Sequence, residues 1–106
     1  MADFEVNEKS SARLTVIPKD FADAPAAPVS ATYRIDEPVT GTQIRADTAL
    51  TPSTAMVIEL KPSDNTLLAA GAAEERRVVT VKTTYGADDA LNAQQEYVVK
   101  NLKFVT

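Results

Sequence analysis

The sequence contains no cysteine, no histidine and no tryptophan. Without cysteine, disulfide bonds and thiolate metal sites are excluded together. Without histidine, the side chain that most often acts as a general base near neutral pH is missing, so Ser-His-Asp and Cys-His nucleophile systems are excluded. The chemistry that remains open to an enzyme is catalysis by paired carboxylates.

Three adjacent acidic pairs are the candidates for such catalysis. Consecutive residues of a strand point to opposite faces of a sheet, so two neighbouring carboxylates do not converge on one substrate. We interpret all three pairs as solvated charges: Asp36 with Glu37, Glu74 with Glu75, and Asp88 with Asp89. The sequence therefore predicts a protein that is not an enzyme and has no catalytic residues.

Long hydrophobic runs and a basic surplus are also missing. The apolar runs span only a few residues, whereas a membrane-spanning helix needs about 20. The N-terminal stretch MADFEVNEKSS is acidic and has no apolar centre, which is not the pattern of a secretory signal. The net charge is −4, and the Arg76–Arg77 pair directly follows two glutamates. We expect neither a nucleic-acid partner nor a membrane partner.

The clearest signal in the sequence is a hydrophobic period of two, which is typical of half-buried strands. It predicts strands near residues 12–16, 29–36, 42–46, 56–61, 76–85 and 96–105. Turn residues separate them, and we expect loops at 20–28, 48–54 and 87–95, with a single helical turn around 67–70. With 106 residues, the chain is predicted to be one all-β sandwich with Greek-key connections.

The N-terminal residues 1–10 stand apart from the domain predicted for residues 11–106. Phe4 and Val6 lie among charges there, and two interpretations carry equal weight. They either form an extra edge strand that buries both residues in their own domain, or an arm that adds to the sheet edge of a neighbouring molecule. Phe21, in the loop at 20–28, is a second candidate for partner contact, unless it covers its own core.

Two loops offer oxygen ligands of the kind that calcium prefers. Asp64 lies in one of them, and Asp88, Asp89 and Asn92 lie in or beside the other. Neither stretch has the spacing of an EF-hand loop, and Asp64 followed by Asn is equally typical of a turn closed by the Asp side chain. We expect no cofactor and no metal.

The case for a glycan-binding site depends on the three tyrosines, because glycan sites usually present exposed aromatic faces. Tyr33 and Tyr97 occupy alternating strand positions and are predicted to be core residues. Tyr85, before Gly86, is a candidate strand-end anchor whose hydroxyl meets the backbone. The sequence therefore gives only weak support for glycan binding.

A pattern of short motifs runs through residues 29–103. Its members, in order, are Tyr33-Arg34-Ile35-Asp36, Thr40-Gly41-Thr42 with Ile44, Leu50-Thr51-Pro52-Ser53, Asp64-Asn65, Glu75-Arg76-Arg77, Val79-Thr80-Val81, Glu96-Tyr97 and Asn101-Leu102. In order and spacing the chain resembles small Ig-like or fibronectin III-like β-sandwich proteins of tailed bacteriophages. It departs from true Ig domains in lacking both the buried Trp and the inter-sheet disulfide.

The resemblance implies an Ig-like antiparallel β-sandwich of about seven strands. It also implies a non-enzymatic structural component of a phage virion: a capsid decoration, head-tail joining, or tail- or fibre-associated protein. Its partners would be other virion proteins, with a homo-oligomer as a further possibility, and it would be made in the host bacterial cytoplasm. The alternative is an adhesive β-sandwich module that recognises a cell-surface glycan.

Overall fold

A computed structural model describes residues 4–19, 24–69, 71–86 and 89–102. Strands dominate the described chain, as the period of two predicts. In chain order they are β1 (Phe4–Asn7), β2 (Ala12–Val16), β3 (Ser30–Glu37), β4 (Thr42–Leu50), β5 (Met56–Leu60), β6 (Glu74–Thr84) and β7 (Ala90–Lys100). A short 3-10 helix, η1 (Pro62–Asn65), follows β5. The all-β class is confirmed.

The strands form two sheets. The larger has five strands in the order β1-β7-β6-β3-β4, and the smaller consists of β2 and β5. All neighbours are antiparallel except β1 and β7, which run parallel with Phe4 opposite Tyr97 and Val6 opposite Val99. The large sheet is therefore mixed, where the resemblance implies an antiparallel sandwich. Alternation in sequence shows which residues share a face, but it carries no information about strand direction.

Both sheets bury one face in a common core. Fully or almost fully buried side chains come from the large sheet and from β5 of the small sheet: Val6, Tyr33, Ile35, Ile58, Leu60, Val79, Val81, Tyr97 and Val99. The inner residues of β2 are half-buried against this cluster. The predicted inner faces of β3 and β5 are confirmed, since Tyr33 and Ile58 have exposed fractions of 5% and 0%.

The turn between β3 and β4 follows the predicted turn signal. Gly41 has a φ of 74° there, in the left-handed region that favours glycine. Glu37 closes the same turn, because its carboxylate accepts hydrogen bonds from the backbone N–H groups of Val39 and Thr40 at 2.8 and 2.9 Å. The turn thus depends on one backbone conformation and one carboxylate.

Three local predictions were wrong. Residues 48–50 continue β4, although the sequence predicts a loop there, and β7 begins at Ala90 inside the predicted polar loop 87–95. The helical turn lies at Pro62–Asn65 and not around 67–70. In both strand errors the extension is paired to a neighbouring strand, so backbone pairing overrides a weak side-chain pattern.

No helix in the described part of the chain is long and apolar enough to cross a membrane.

Candidate interface at the free strand edges

Free edges of the two sheets are the surfaces most suited to protein contact. A strand without a neighbour presents a row of unpaired N–H and C=O groups, which can pair with another chain. Among the described residues, β1 and β4 form the edges of the large sheet, and each strand of the small sheet has one free side. These edges differ in length, in regularity and in how far side chains block their backbone groups, and these differences decide which edge suits protein contact.

The edge of β4 is irregular. Its pairing with β3 shifts between Tyr33 and Ile35 and again between Ile35 and Asp36, because extra residues are inserted in β4. Such bulges twist an edge strand and interrupt its row of backbone groups, which is a common protection against strand addition. We therefore do not assign a docking role to β4.

The free side of β5 is capped by side chains. The Arg45 guanidinium donates to the Glu59 carbonyl at 3.2 Å, so the backbone of Glu59 faces away from β2. At the end of the strand, Asp64 accepts from the N–H of Lys61 at 2.7 Å. Ser53 bonds both backbone groups of Ala55 before the strand begins. A groove of about 600 Å³ separates β5 from β4. On its β5 side, few backbone N–H and C=O groups remain to bond an added strand.

The edges of β2 and β1 are short. Because β5 residues 56, 58 and 60 bond towards β2, the register leaves the backbones of Arg13 and Thr15 facing outwards. Directly after β1, the N–H of Glu8 donates to the backbone carbonyl of Lys100 at 2.9 Å. Alternate residues therefore bond β7, and the backbone of Glu5 faces outwards. The carbonyl of Asn7 already accepts from Ser10. Each of these edges offers one or two residues.

The first half of β7 provides a longer edge. β1 pairs only with Tyr97 to Lys100, whereas β7 itself begins at Ala90. Residues 90–96 therefore have β6 on one side and no described strand on the other. We call residues 90–96 the β7 edge.

Backbone direction at the β7 edge follows from two bonds. The hydroxyl of Thr83 on β6 donates to the carbonyl of Leu91 at 2.9 Å, so Leu91 faces β6. Strand alternation then turns the backbones of Asn92, Gln94 and Glu96 outwards. The carbonyl of Glu96 is bonded by the Gln95 side chain at 2.8 Å.

Among the described residues, this edge has one side-chain cap, the Gln95 bond to the Glu96 carbonyl, and few of the other usual protections. The pairing of β6 with β7 runs without a register shift along its full length. The edge sequence ALNAQQE contains no Lys, Arg or Pro, the residues that most often discourage strand addition. It is therefore the longest regular free edge among the described residues.

A shallow apolar groove of about 320 Å³ adjoins the β7 edge. Leu91 and Ala93 line it on the large sheet, and Val16 and Ile17 line it at the end of β2. Ile17 is 55% exposed. The small sheet does not cover this part of the core-facing surface, so an added strand would shield apolar atoms as well as pair its backbone.

A second cluster of polar groups, around η1, holds the structure together. The Arg77 side chain is fully buried, and its guanidinium donates to the Thr66 carbonyl at 2.9 Å and to the Glu75 carboxylate at 3.0 Å. The buried Tyr97 hydroxyl donates to the Asn65 side chain at 2.8 Å. Burial raises the pKa of Tyr97, so the hydroxyl stays a donor. These groups are bonded to one another and are not free for a ligand.

Two of the acidic residues predicted to be solvated are structural. Glu37 is 6% exposed, and hydrogen bonds from the Thr40 side chain and backbone hold its pKa below the ordinary value. Burial alone would raise the pKa of Glu75, but bonds from the N–H groups of Leu68 and Ala69 and from Arg77 outweigh it and lower that pKa. The interpretation of these carboxylates as solvated was wrong, because sequence does not show which loop folds back over a strand end.

The calcium candidates are not brought together. Asp64 forms an ion pair with Arg45 and accepts from the Lys61 N–H, while Asn92 lies on β7. The described residues contain no group of three or more acidic side chains placed to hold a metal ion. Asp88 lies outside the described residues.

The described residues predicted for partner contact pack against their own domain. Val6 is buried in the core, and the half-buried Phe4 stacks on Tyr97 with ring centroids 5.1 Å apart. Their side chains therefore serve their own domain, and only the backbone edge of β1 remains for contact. Phe21 lies outside the described residues.

The tyrosine predictions hold. Tyr33 and Tyr97 are buried, and the Tyr85 hydroxyl donates to the carbonyl of Ala26 at 3.2 Å as a strand-end anchor. The candidate that sequence reasoning missed is the β7 edge, because residues 90–95 were assigned to a loop. One signal was available: Leu91, Ala93 and Gln95 continue the inward face of Tyr97 and Val99 with a period of two.

Comparison with known proteins gives no relative: no family model, no curated protein and no solved structure matches the chain.

Proposed function

We propose that this chain is a structural, non-enzymatic component of a tailed-phage virion that binds other proteins through free strand edges. The observation that carries the proposal is the β7 edge, which no described strand covers, beside an apolar groove. The class of particle comes from the sequence resemblance described above. The contact mode comes from the arrangement of the strands.

The proposal includes an Ig-like sandwich. Such domains place strands G, F and C next to one another in one sheet, with C′ beside C in the variable type, and strands B and E in the other. The order β7-β6-β3-β4 and the pair β2-β5 correspond to these positions. The small sheet has two strands where the constant type has four, so the positions of strands A and D are not filled by described residues. In an Ig-like fold of this kind, both strands of the small sheet are edge strands.

An open edge suits assembly better than single-molecule binding. Strand addition gives main-chain hydrogen bonds whose strength depends little on the partner's sequence. A contact of this size is weak for one pair of molecules, but many copies on a lattice or ring bind far more strongly than one. The position in the particle would then follow from the neighbours that cover the edge.

The glycan-binding alternative receives no support from the described aromatic residues. Tyr33 and Tyr97 are buried, Phe4 stacks on Tyr97, and the Tyr85 hydroxyl bonds the backbone. We therefore propose one function.

The direct test is to purify particles of the phage that encodes this chain and to quantify the chain by mass spectrometry, with immunogold labelling to locate it. We expect many copies per particle at a defined position. Its absence from intact particles would overturn the proposal.

A matched pair of variants tests the contact mode. Asn92→Lys/Gln94→Lys places two charges on the β7 edge, and Thr51→Lys/Thr54→Lys adds the same charge at exposed positions between β4 and β5. We expect the first variant to lose binding to virion proteins and the second to keep it. Equal binding by both would show that the contact lies elsewhere.

A further inference from the structure

We infer that Glu37 and Glu75, together with the buried Arg77, form an acid-sensitive latch that holds both walls of a groove at one end of the sandwich. As the pH falls, the latch opens in two steps, first at the β3–β4 turn and then at residues 68–69. The latch is a property of the single chain, so it does not depend on the virion role proposed above.

The groove lies at the start of β6. This strand begins at Glu74, but β3 pairs only with its part from Val78 onwards. Beside the start of β6 lies a groove of about 480 Å³, which we call the end groove. One wall is the β3–β4 turn with Val39, and the other is the segment 68–69 with Leu68. These two side chains are 85% and 53% exposed, so apolar burial does little to hold the walls in place.

Each wall is bonded to one carboxylate through two backbone N–H groups. Glu37 accepts from the N–H groups of Val39 and Thr40 at 2.8 and 2.9 Å, and from the Thr40 hydroxyl at 2.6 Å. Glu75 accepts from the two N–H groups of the other wall at 2.9 and 2.7 Å. An ionised carboxylate accepts through both oxygens, whereas protonation turns one of them into a donor. Protonation of either residue therefore loosens its wall.

Arg77 supplies one positive charge for the two carboxylates. Its side chain is fully buried, and the guanidinium donates to Glu75 at 3.0 Å. Because Asp36 on β3 lies opposite Val78 on β6, the register places Glu37 beside Arg77. A buried guanidinium without a counter-charge is strongly unfavourable. Protonation of the second carboxylate would leave Arg77 in that condition, so the two carboxylates cannot be protonated with equal ease.

The contact with Arg77 sets the order of the two steps. Bonds from Thr40 and Val39, and the more distant Arg77 charge, hold the pKa of Glu37 below the ordinary 4.5. Burial alone would raise the pKa of Glu75, but the bonds from its wall and from Arg77 outweigh it. Both carboxylates are therefore ionised at neutral pH, and both walls are closed. The donors bonded to Glu37 are uncharged, whereas Glu75 touches the guanidinium, so Glu37 is protonated first.

Other titratable groups surround the latch. Tyr97 lies opposite Arg77 on β7, and burial raises its pKa, so it stays uncharged in acid. The remaining charged neighbours lie at the groove rim and around η1 and form ion pairs of their own: Glu74 with Lys100 at 3.5 Å, Arg76 with Glu96 at 3.3 Å, and Asp64 with Arg45.

The first test is a titration of the full chain by nuclear magnetic resonance, from about pH 7 to about pH 3. The carboxyl carbons of Glu37 and Glu75 report protonation. Amide exchange at residues 39, 40, 68 and 69, relative to an unstructured chain at the same pH, reports opening. We expect two midpoints below 4.5, with that of Glu37 the higher. The turn should lose protection before the segment 68–69, and residues 79–81 of β6 should stay protected throughout.

Two results of this titration would count against the latch. Loss of protection at both walls and in β6 at the same pH would show global unfolding and would overturn it. Opening of the segment 68–69 before the turn would overturn the assigned order.

Neutral variants test whether Arg77 is shared. In Glu75→Gln, Glu37 becomes the carboxylate that neutralises Arg77, so its midpoint should fall to lower pH. The segment 68–69 should lose protection about tenfold or more already at neutral pH, because its N–H groups lose a charged acceptor. In Glu37→Gln the midpoint of Glu75 should fall in turn, because the coupling is reciprocal.

The matched control is Glu74→Gln at the groove rim, which should move neither midpoint. Circular dichroism should show that the variants remain folded, and the titration of the natural chain needs no variant at all. A Glu37 midpoint that is the same in Glu75→Gln as in the natural chain would overturn the shared guanidinium.

Discussion

The adjacent arginines Arg76 and Arg77 differ widely in burial. Arg77 points into the core side of β6 and is fully buried, whereas Arg76 is exposed and pairs with Glu96 at 3.3 Å. A buried guanidinium is tolerated only when its donors are bonded. Arg77 meets this condition with the Glu75 carboxylate and with backbone carbonyls, including that of Thr66.

We expect Arg77→Ala to lower the free energy of unfolding by about 3–5 kcal/mol, because it removes the charged donor from the part-buried Glu75 carboxylate and from the carbonyls that Arg77 bonds. Arg76→Ala should cost no more than about 1 kcal/mol, since an exposed ion pair contributes little. Urea denaturation of both variants measures the difference. Equal losses at the two positions would contradict the role given to Arg77.

Glu75 makes the free energy of unfolding depend on pH. Its pKa in the folded chain lies below the ordinary 4.5, so its contribution is complete above that pH and is lost as the pH falls through the lower, folded value. We expect Glu75→Gln to be less stable than the natural chain at pH 7, and the gap to shrink below pH 4.5. Urea unfolding at a series of pH values measures the gap.

The control for this effect is Glu74→Gln, on the exposed face of β6. Its carboxylate lies 3.5 Å from the Lys100 ammonium, in an exposed contact. We expect a small loss with little change across the same pH series. A Glu75→Gln gap that stayed constant with pH would show that the amide loses packing and not charge.

At the scale of elements, the conformation of a turn and the accessibility of the strand edges depend on a few particular residues. The β3–β4 turn needs the left-handed backbone of Gly41 and the carboxylate of Glu37. The bulges of β4 and the side-chain caps of β5 block two edges, while no described strand covers the first half of β7. A few residues in each strand determine whether its edge is blocked or open.

Gly41→Ala should lower the free energy of unfolding by about 1 kcal/mol, because a φ of 74° strains any residue with a Cβ. The cause is backbone strain alone, since nothing lies within 4 Å of an added Cβ. Gly71→Ala is the matched control: it also has open space and has no positive φ. Thermal melting should show a loss for Gly41 only, and a comparable loss at Gly71 would contradict the explanation.

At the scale of the whole molecule, the small sheet cannot stand alone. Two strands are marginally stable in water, and β5 obtains its stability by burying Ile58 and Leu60 against the large sheet. The two sheets should therefore unfold together. The structure is elongated, with extents of 47 × 22 × 22 Å.

We expect one cooperative transition that is the same by far-ultraviolet circular dichroism and by tyrosine fluorescence. Ile58→Ala, in the small sheet, should shift the whole transition by about 2–5 kcal/mol, because it opens a cavity in the shared core. Val57→Ala is the control, since Val57 is 50% exposed on the opposite face. Two separate transitions would show that the sheets do not share one core.

Much of the fold was predictable because alternation reports burial directly. The inner faces of β3, β5 and β6, the turn at Gly41 and the anchoring role of Tyr85 follow from residue types and their spacing. The start of β7 was not predictable in the same way, because ALNAQQE is polar on its outer face and only weakly apolar on its inner face. Nor did the sequence show that Arg77 and Glu75 turn inwards.

By itself, the sequence determined the strand class, the inward faces and the absence of thiol and imidazole chemistry, because these depend on residue identity and local spacing. Only the tertiary structure decided the parallel β1–β7 pair, the burial of Arg77 and the edge that the described residues leave uncovered at 90–96. These depend on which distant segments meet. Within the described residues, β1 covers only the last part of the longer β7, and that difference in length leaves the edge proposed as the interface.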